Sequence, residues 1–133
     1  WLYPIRSLLD SGAIVAFGSD WFVTSGNPLL GIETAAMRRD PLTNVSVEFL
    51  DNQRIDLADA VQPYTINSAY VNFMDKDTGS IEVGKLADLI VLDQNLFNLP
   101  PQEISDTQVL LTLLGGIPVY GDWSLKPIAK TAE

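Results

Sequence analysis

The sequence predicts an α/β fold in which roughly the first 70 residues follow a β/α pattern and the last 60 form a small β unit. Three observations carry this. Ala13-Ile14-Val15-Ala16-Phe17 is an unbroken apolar run ending in Gly18-Ser19-Asp20, as in a strand buried on both faces of a parallel sheet. Stretches of helical spacing lie on both sides of it. Near the end, Gly115-Gly116 separates two apolar runs, a strong two-residue hairpin signal.

Taken in order, Pro4 suits the first turn of a helix. Ile5, Leu8 and Leu9 recur at helical spacing and Ser11-Gly12 ends it. The strand 13–17 follows, and Asp20 stands at its carboxyl end, where ligands and catalytic groups collect in parallel α/β folds. An isolated Asp after a strand is also a common loop or capping residue. Asn27-Pro28 reads as an N-cap and first helical residue. Leu29, Ile32 and Ala36 share one face of that helix, Arg38-Arg39 occupy its last turn, and Asp40-Pro41 stops it. Residues 41–55 lack a period and read as a loop with a short helical turn. Asp56-Leu57-Ala58-Asp59 resembles a capping box opening a helix to about Tyr70, with Pro63 kinking it or moving its start.

From Asp75 the character changes. Asp75 to Gly79 and Gly84-Lys85 are turns, and Ala87 to Asp93 is a buried strand bracketed by carboxylates. Asn95 to Pro101 is a loop and Thr107 to Leu114 a strand. Ile117 to Tyr120 returns as its partner, with Pro118 marking an edge. Lys126 to Glu133 is a tail.

Composition narrows the chemistry. The chain has 133 residues, enough for one domain with a core, and its hydrophobic fraction of 47% argues against disorder. Eight Lys and Arg against 17 Asp and Glu leave a formal charge of -9 with no basic run, which disfavours nucleic-acid and anionic-membrane partners. No apolar run approaches the ~18 residues of a spanning helix and no signal peptide is visible, so the expected location is cytoplasmic. The chain contains neither His nor Cys, so it cannot build a Ser-His-Asp triad, a Cys-His pair or an ordinary zinc site from its own residues. It begins with Trp1-Leu2-Tyr3-Pro4 rather than Met, and the expectation is a piece of a larger protein.

Five stretches carry a resemblance: Phe17-Gly18-Ser19-Asp20-Trp21, Asn27-Pro28-Leu29, Tyr64-Thr65-Ile66-Asn67, Gly84-Lys85-Leu86-Ala87-Asp88-Leu89, and Gly115-Gly116 before a final strand. In this order, to Tyr120, the chain resembles the C-terminal portion of the amidohydrolase superfamily, in the branch with N-substituted formamide deformylases and proteins labelled exoenzyme regulators. The Gly-Lys-x-Ala-Asp-Leu piece is the most specific. Three positions depart from the branch: Phe22 stands where Pro is usual, and Pro63 and Pro118 where other residues are expected.

The resemblance implies a C-terminal fragment of a (β/α)8 TIM barrel, residues 1–72, followed by part of its small β-sandwich, residues 73–133. It implies a metal-dependent hydrolase of non-peptide C–N bonds acting on a small amide-type substrate. The implied cofactor is a divalent metal, zinc, in the whole protein and none in the isolated chain. In the family the other ligands are His residues on earlier strands, and Asp20 matches the one Asp, which ligates metal and takes a proton from the attacking water. Trp21 is the candidate substrate-binding residue; Ser25 and Asn27 also follow the strand, though Asn27 reads as a helix cap. Lys85 to Asp88 read as structural, and Asp75, Asp77 and Asp93 as solvated turn residues, because their spacing is not that of a calcium loop. The isolated chain is expected to be inactive. The alternative is a non-catalytic regulatory or binding domain derived from the same C-terminus. A strand meant for two-sided burial, without its neighbours, also predicts self-association of the fragment.

Overall fold

The computed structural model describes residues 2–43 and 49–121; the tail expected over 126–133 lies outside them. Helix α1 spans Ile5–Asp10, entered from Pro4 and left through Gly12 at φ 81, a left-handed conformation that glycine adopts without strain.

Residues 13–19 then form no helix, strand or turn, and they pair with no strand among the described residues. The expected buried strand is therefore corrected. Ile14 is 54% exposed, and only Val15, Ala16 and Phe17 are half-buried. A parallel strand needs neighbours for its backbone polar groups. Here two of those groups turn to a helix instead: the Phe17 N–H donates to the Pro63 carbonyl at 3.1 Å, and the Val15 carbonyl accepts from Asn67 Nδ2 at 2.9 Å.

Helix α2 spans Pro28–Met37. As expected, Asn27 caps it, its Oδ1 accepting the Leu29 N–H at 3.0 Å, with Pro28 in the first position. Leu29, Ile32, Glu33 and Ala35 are buried, while Ala36 is only half-buried. The arginines do not occupy its last turn. The helix ends at Met37 because Arg38 turns left-handed at φ 54. Its buried side chain donates from Nε to the Phe49 carbonyl at 3.2 Å and packs 5.5 Å from the Phe49 ring centre. Arg38 is thus an internal tie rather than a dipole counter-charge.

The stretch read as one kinked helix is three pieces: α3, Leu57–Val61; a 3-10 turn, Gln62–Tyr64; and α4, Ile66–Val71. Asp56 caps α3 by accepting the Asp59 N–H at 2.9 Å. Pro63 sits in the 3-10 turn, where its missing N–H breaks the α-helical ladder. The short helical turn expected within 41–55 is Asp51–Gln53.

Three strands form one antiparallel sheet in the order β1-β2-β3: β1 Leu89–Leu92, β2 Val109–Leu114, β3 Ile117–Gly121. Gly115 and Gly116 have φ 56 and 82, the positive pair that a type I′ hairpin requires. Strand β3 carries Pro118 at the sheet edge and is exposed throughout, as expected. Strand β1 is less buried than expected: Ile90 is 51% exposed and Val91 38%, since no layer among the described residues covers them.

The core joins both parts of the sequence. Leu29, Ile32, Ala35, Ile55 and Ala60 pack with Leu96 and Ile104, with Phe17 and Tyr64 against them. Glu33 reaches across this seam, its Oε2 accepting the Ser105 N–H at 2.8 Å.

Candidate functional site

Asp20 closes the extended segment and opens a tight turn. It sits at φ 50, a left-handed conformation that Asp tolerates better than most residues. Two bonds lock the turn: Val23 N–H to the Asp20 carbonyl at 2.7 Å, and Thr24 Oγ1 to the Ser19 carbonyl at 2.6 Å. The residue itself is exposed. Asp20 thus stands exposed on a closed turn, after a segment that forms no strand among the described residues.

Trp21 and Phe22 follow across a cis peptide, their rings edge to face with centres 6.2 Å apart. Trp21 is 74% exposed and Phe22 86%. Trp21 therefore offers an open indole face beside Asp20. The Ser25 hydroxyl accepts the Asn27 N–H at 3.2 Å and Asn27 caps α2, so both serve the local backbone.

Among the described residues no group of three or more His, Cys, Asp or Glu could hold a metal ion. One exposed carboxylate fits a single oxygen ligand of a metal.

Within Lys85 to Asp88, the stretch read as structural, both end residues make local bonds. Asp88 joins two turns: its Oδ1 accepts the Gly115 N–H at 2.7 Å and its Oδ2 the Thr78 hydroxyl at 3.1 Å. Lys85 donates to Ser80 Oγ at 2.5 Å and pairs with Glu82 at 3.0 Å. The Ser80 hydroxyl, donating to the Glu82 carboxylate, and then Lys85 hold the Glu82 carboxyl below its usual range. Asp93 is more than a solvated turn residue, since its Oδ1 accepts the Gln108 N–H at 2.9 Å.

Sequence reasoning missed the partners of the segment that precedes Asp20. Tyr64 meets Phe17 edge to face with ring centres 5.5 Å apart, and burial pushes the Tyr64 phenol above its ordinary pKa. Asn67 appeared only as part of a motif. The available signal was an Asn in the first turn of a helix, where its propensity is poor unless its amide has a partner.

No helix among the described residues is long and apolar enough to cross a membrane. The chain is 37% identical over 118 residues to Protein LONG AFTER FAR-RED 3 of Arabidopsis thaliana, covering 89% of this chain and 20% of that protein. It is 33% identical over 119 residues to an N-substituted formamide deformylase of Arthrobacter pascens, covering 90% of this chain and 21% of the relative. It therefore spans about a fifth of the length of these relatives. In fold it resembles an adenosine deaminase from Xanthomonas campestris solved with bound zinc, with a TM-score of 0.69 at 22% identity over 94% of this chain and 30% of that one. Residues 1–120 match the family model of the amidohydrolase family, and the chain belongs to that family.

Proposed function

We propose that this chain is the C-terminal part of a metal-dependent amidohydrolase that cleaves non-peptide C–N bonds in a small amide-type substrate. In this reading residues 1–72 supply the last β/α portion of a (β/α)8 barrel and residues 73–133 part of the adjoining β-sandwich. Asp20 is the carboxylate at the end of the last barrel strand. The observation that supports the reading is its placement: an exposed carboxylate three residues past Phe17, on a turn closed by the Val23 N–H and the Thr24 hydroxyl.

A divalent metal, zinc in this proposal, supplies acidification of water and polarisation of the scissile carbonyl. This chain contributes one ligand, and the remaining ligands come from outside it. One Asp20 oxygen takes the proton of the attacking water and passes it to the leaving nitrogen, a task for a carboxylate within hydrogen-bond reach of both. The exposed Trp21 face lies beside the substrate. The protein works in the cytoplasm, and the isolated chain, holding one ligand, is catalytically inert.

The test is Asp20→Asn in the whole protein. Asn preserves size but is a poor ligand and no proton acceptor, so kcat/KM falls about 10²- to 10⁴-fold. Asp88→Asn, in the β unit, lowers stability and leaves the chemical step intact. If both folded variants lost activity equally, the division between Asp20 and Asp88 would be wrong.

A further inference from the structure

We infer that Asn67 is a positioning residue for Asp20, acting through the backbone of the segment that carries it; this rests on the reading of Asp20 given above. Residues 13–19 have no ladder partner among the described residues, so few interactions fix where they end. Three of them come from one place, the Pro63 turn and the first turn of α4. Asn67 Nδ2 donates to the Val15 carbonyl at 2.9 Å. The Phe17 N–H donates to the Pro63 carbonyl at 3.1 Å. The Phe17 ring meets Tyr64 edge to face.

The geometry explains why an amide is needed. Val15 is half-buried, and a backbone carbonyl withdrawn from water requires a donor. In α4 the Asn67 side chain supplies that donor across 52 positions of sequence. Asp20 lies three residues past Phe17, and the turn beyond it is closed by its own bonds. The segment is therefore clamped before the carboxylate by Asn67 and Pro63, and after it by Thr24 and Val23. Releasing the first clamp leaves the turn intact but lets it shift as a unit. A displacement near 1 Å at a reacting group can cost about 100-fold in rate.

Asn67→Asp is the informative change, because a carboxylate of similar size cannot donate and faces a carbonyl oxygen. Asn67→Ser keeps a donor on a shorter arm. In the isolated chain, hydrogen exchange of the Phe17 amide should accelerate about 5- to 10-fold in Asn67→Asp, while exchange in the middle of α2 stays unchanged. In the whole protein kcat should fall about 10- to 100-fold with KM within about threefold, and Asn67→Ser should recover part of it. Leu113→Ala, in the sheet, is the stability control: it lowers Tm but keeps kcat per folded molecule.

The outcomes separate. If Asp20→Asn retains full activity, the reading of Asp20 fails regardless of Asn67. If Asp20→Asn is inactive while Asn67→Asp keeps wild-type kcat, or if Asn67→Asp loses no more kcat per folded molecule than Leu113→Ala, the positioning role is overturned. Unchanged Phe17 exchange in Asn67→Asp overturns it as well.

Discussion

Replacing Gly31 by Ala tests the brace beneath the site. Gly31 lies inside α2, where alanine is ordinarily better by about 1 kcal/mol. Here an added Cβ would overlap the Tyr64 hydroxyl oxygen and stand 2.9 Å from its Cζ. The ring cannot retreat freely, because Tyr64 is half-buried and packed on Phe17. Overpacking of this kind costs about 1–3 kcal/mol, and losing the edge-to-face contact adds about 0.5–1.5. After the helical gain, the net is about 2 kcal/mol of destabilisation. With an unfolding entropy of ~2.1 cal/mol/K per residue, that lowers Tm by about 7 °C in a chain of 133 residues. Thermal unfolding followed by circular dichroism reads it directly. Adding Tyr64→Phe removes the overlapping oxygen and should recover about half of the loss, a coupling that a double-mutant cycle isolates. An unchanged or raised Tm for Gly31→Ala would show that Tyr64 swings aside without cost, and that it does not brace Phe17.

Two further outcomes are expected. Burial raises the Tyr64 phenol pKa in the folded chain, while the unfolded value stays near 10. Above about pH 10 the unfolded chain releases a proton that the folded chain retains, so stability is full below that pH and falls as pH rises through the folded value; urea midpoints should fall less steeply with pH in Tyr64→Phe, and parallel curves would refute the effect. The edge strand β3 exposes Ile117 at 68%, Val119 at 59% and Tyr120 at 62%, so the isolated chain should associate by strand addition at micromolar concentration, and a charge in Val119→Lys should reduce it; sedimentation showing a clean wild-type monomer would refute this.

What was legible in the sequence was local. Asn27-Pro28, the Asp56 cap and the Gly115-Gly116 hairpin each depend on φ preference or a hydrogen bond within a few residues, and all three appear where their residue types placed them. Pro63 announced a broken helix because its missing N–H acts within one turn. Strand identity was not local. The runs at 13–17 and 87–93 state only that their side chains are apolar; whether they are covered depends on what lies against them. Among the described residues the first run finds helical partners instead of strands, and the second pairs with one strand, β2, leaving Ile90 and Val91 exposed. Arg38 fails for a related reason: a dipole argument sees the end of α2, but the guanidinium finds the Phe49 carbonyl eleven residues away.

The same distinction divides the site. Asp20 stood out in the sequence because two local facts coincide there, the end of an apolar run and a Gly-Ser-Asp piece. Its placement was not, since the bonds that set it run from 15 to 67 and from 17 to 63. A carboxylate can act as ligand and proton acceptor only at one position relative to its water, so the role proposed for Asp20 would depend on residues carrying no chemical signature of their own. Asn67 and Tyr64 read in sequence as an ordinary polar helix residue and an ordinary half-buried aromatic. The role proposed for them follows from geometry: a segment without strand neighbours among the described residues is held by other contacts. Here one amide and one ring, with the Pro63 carbonyl, do the holding.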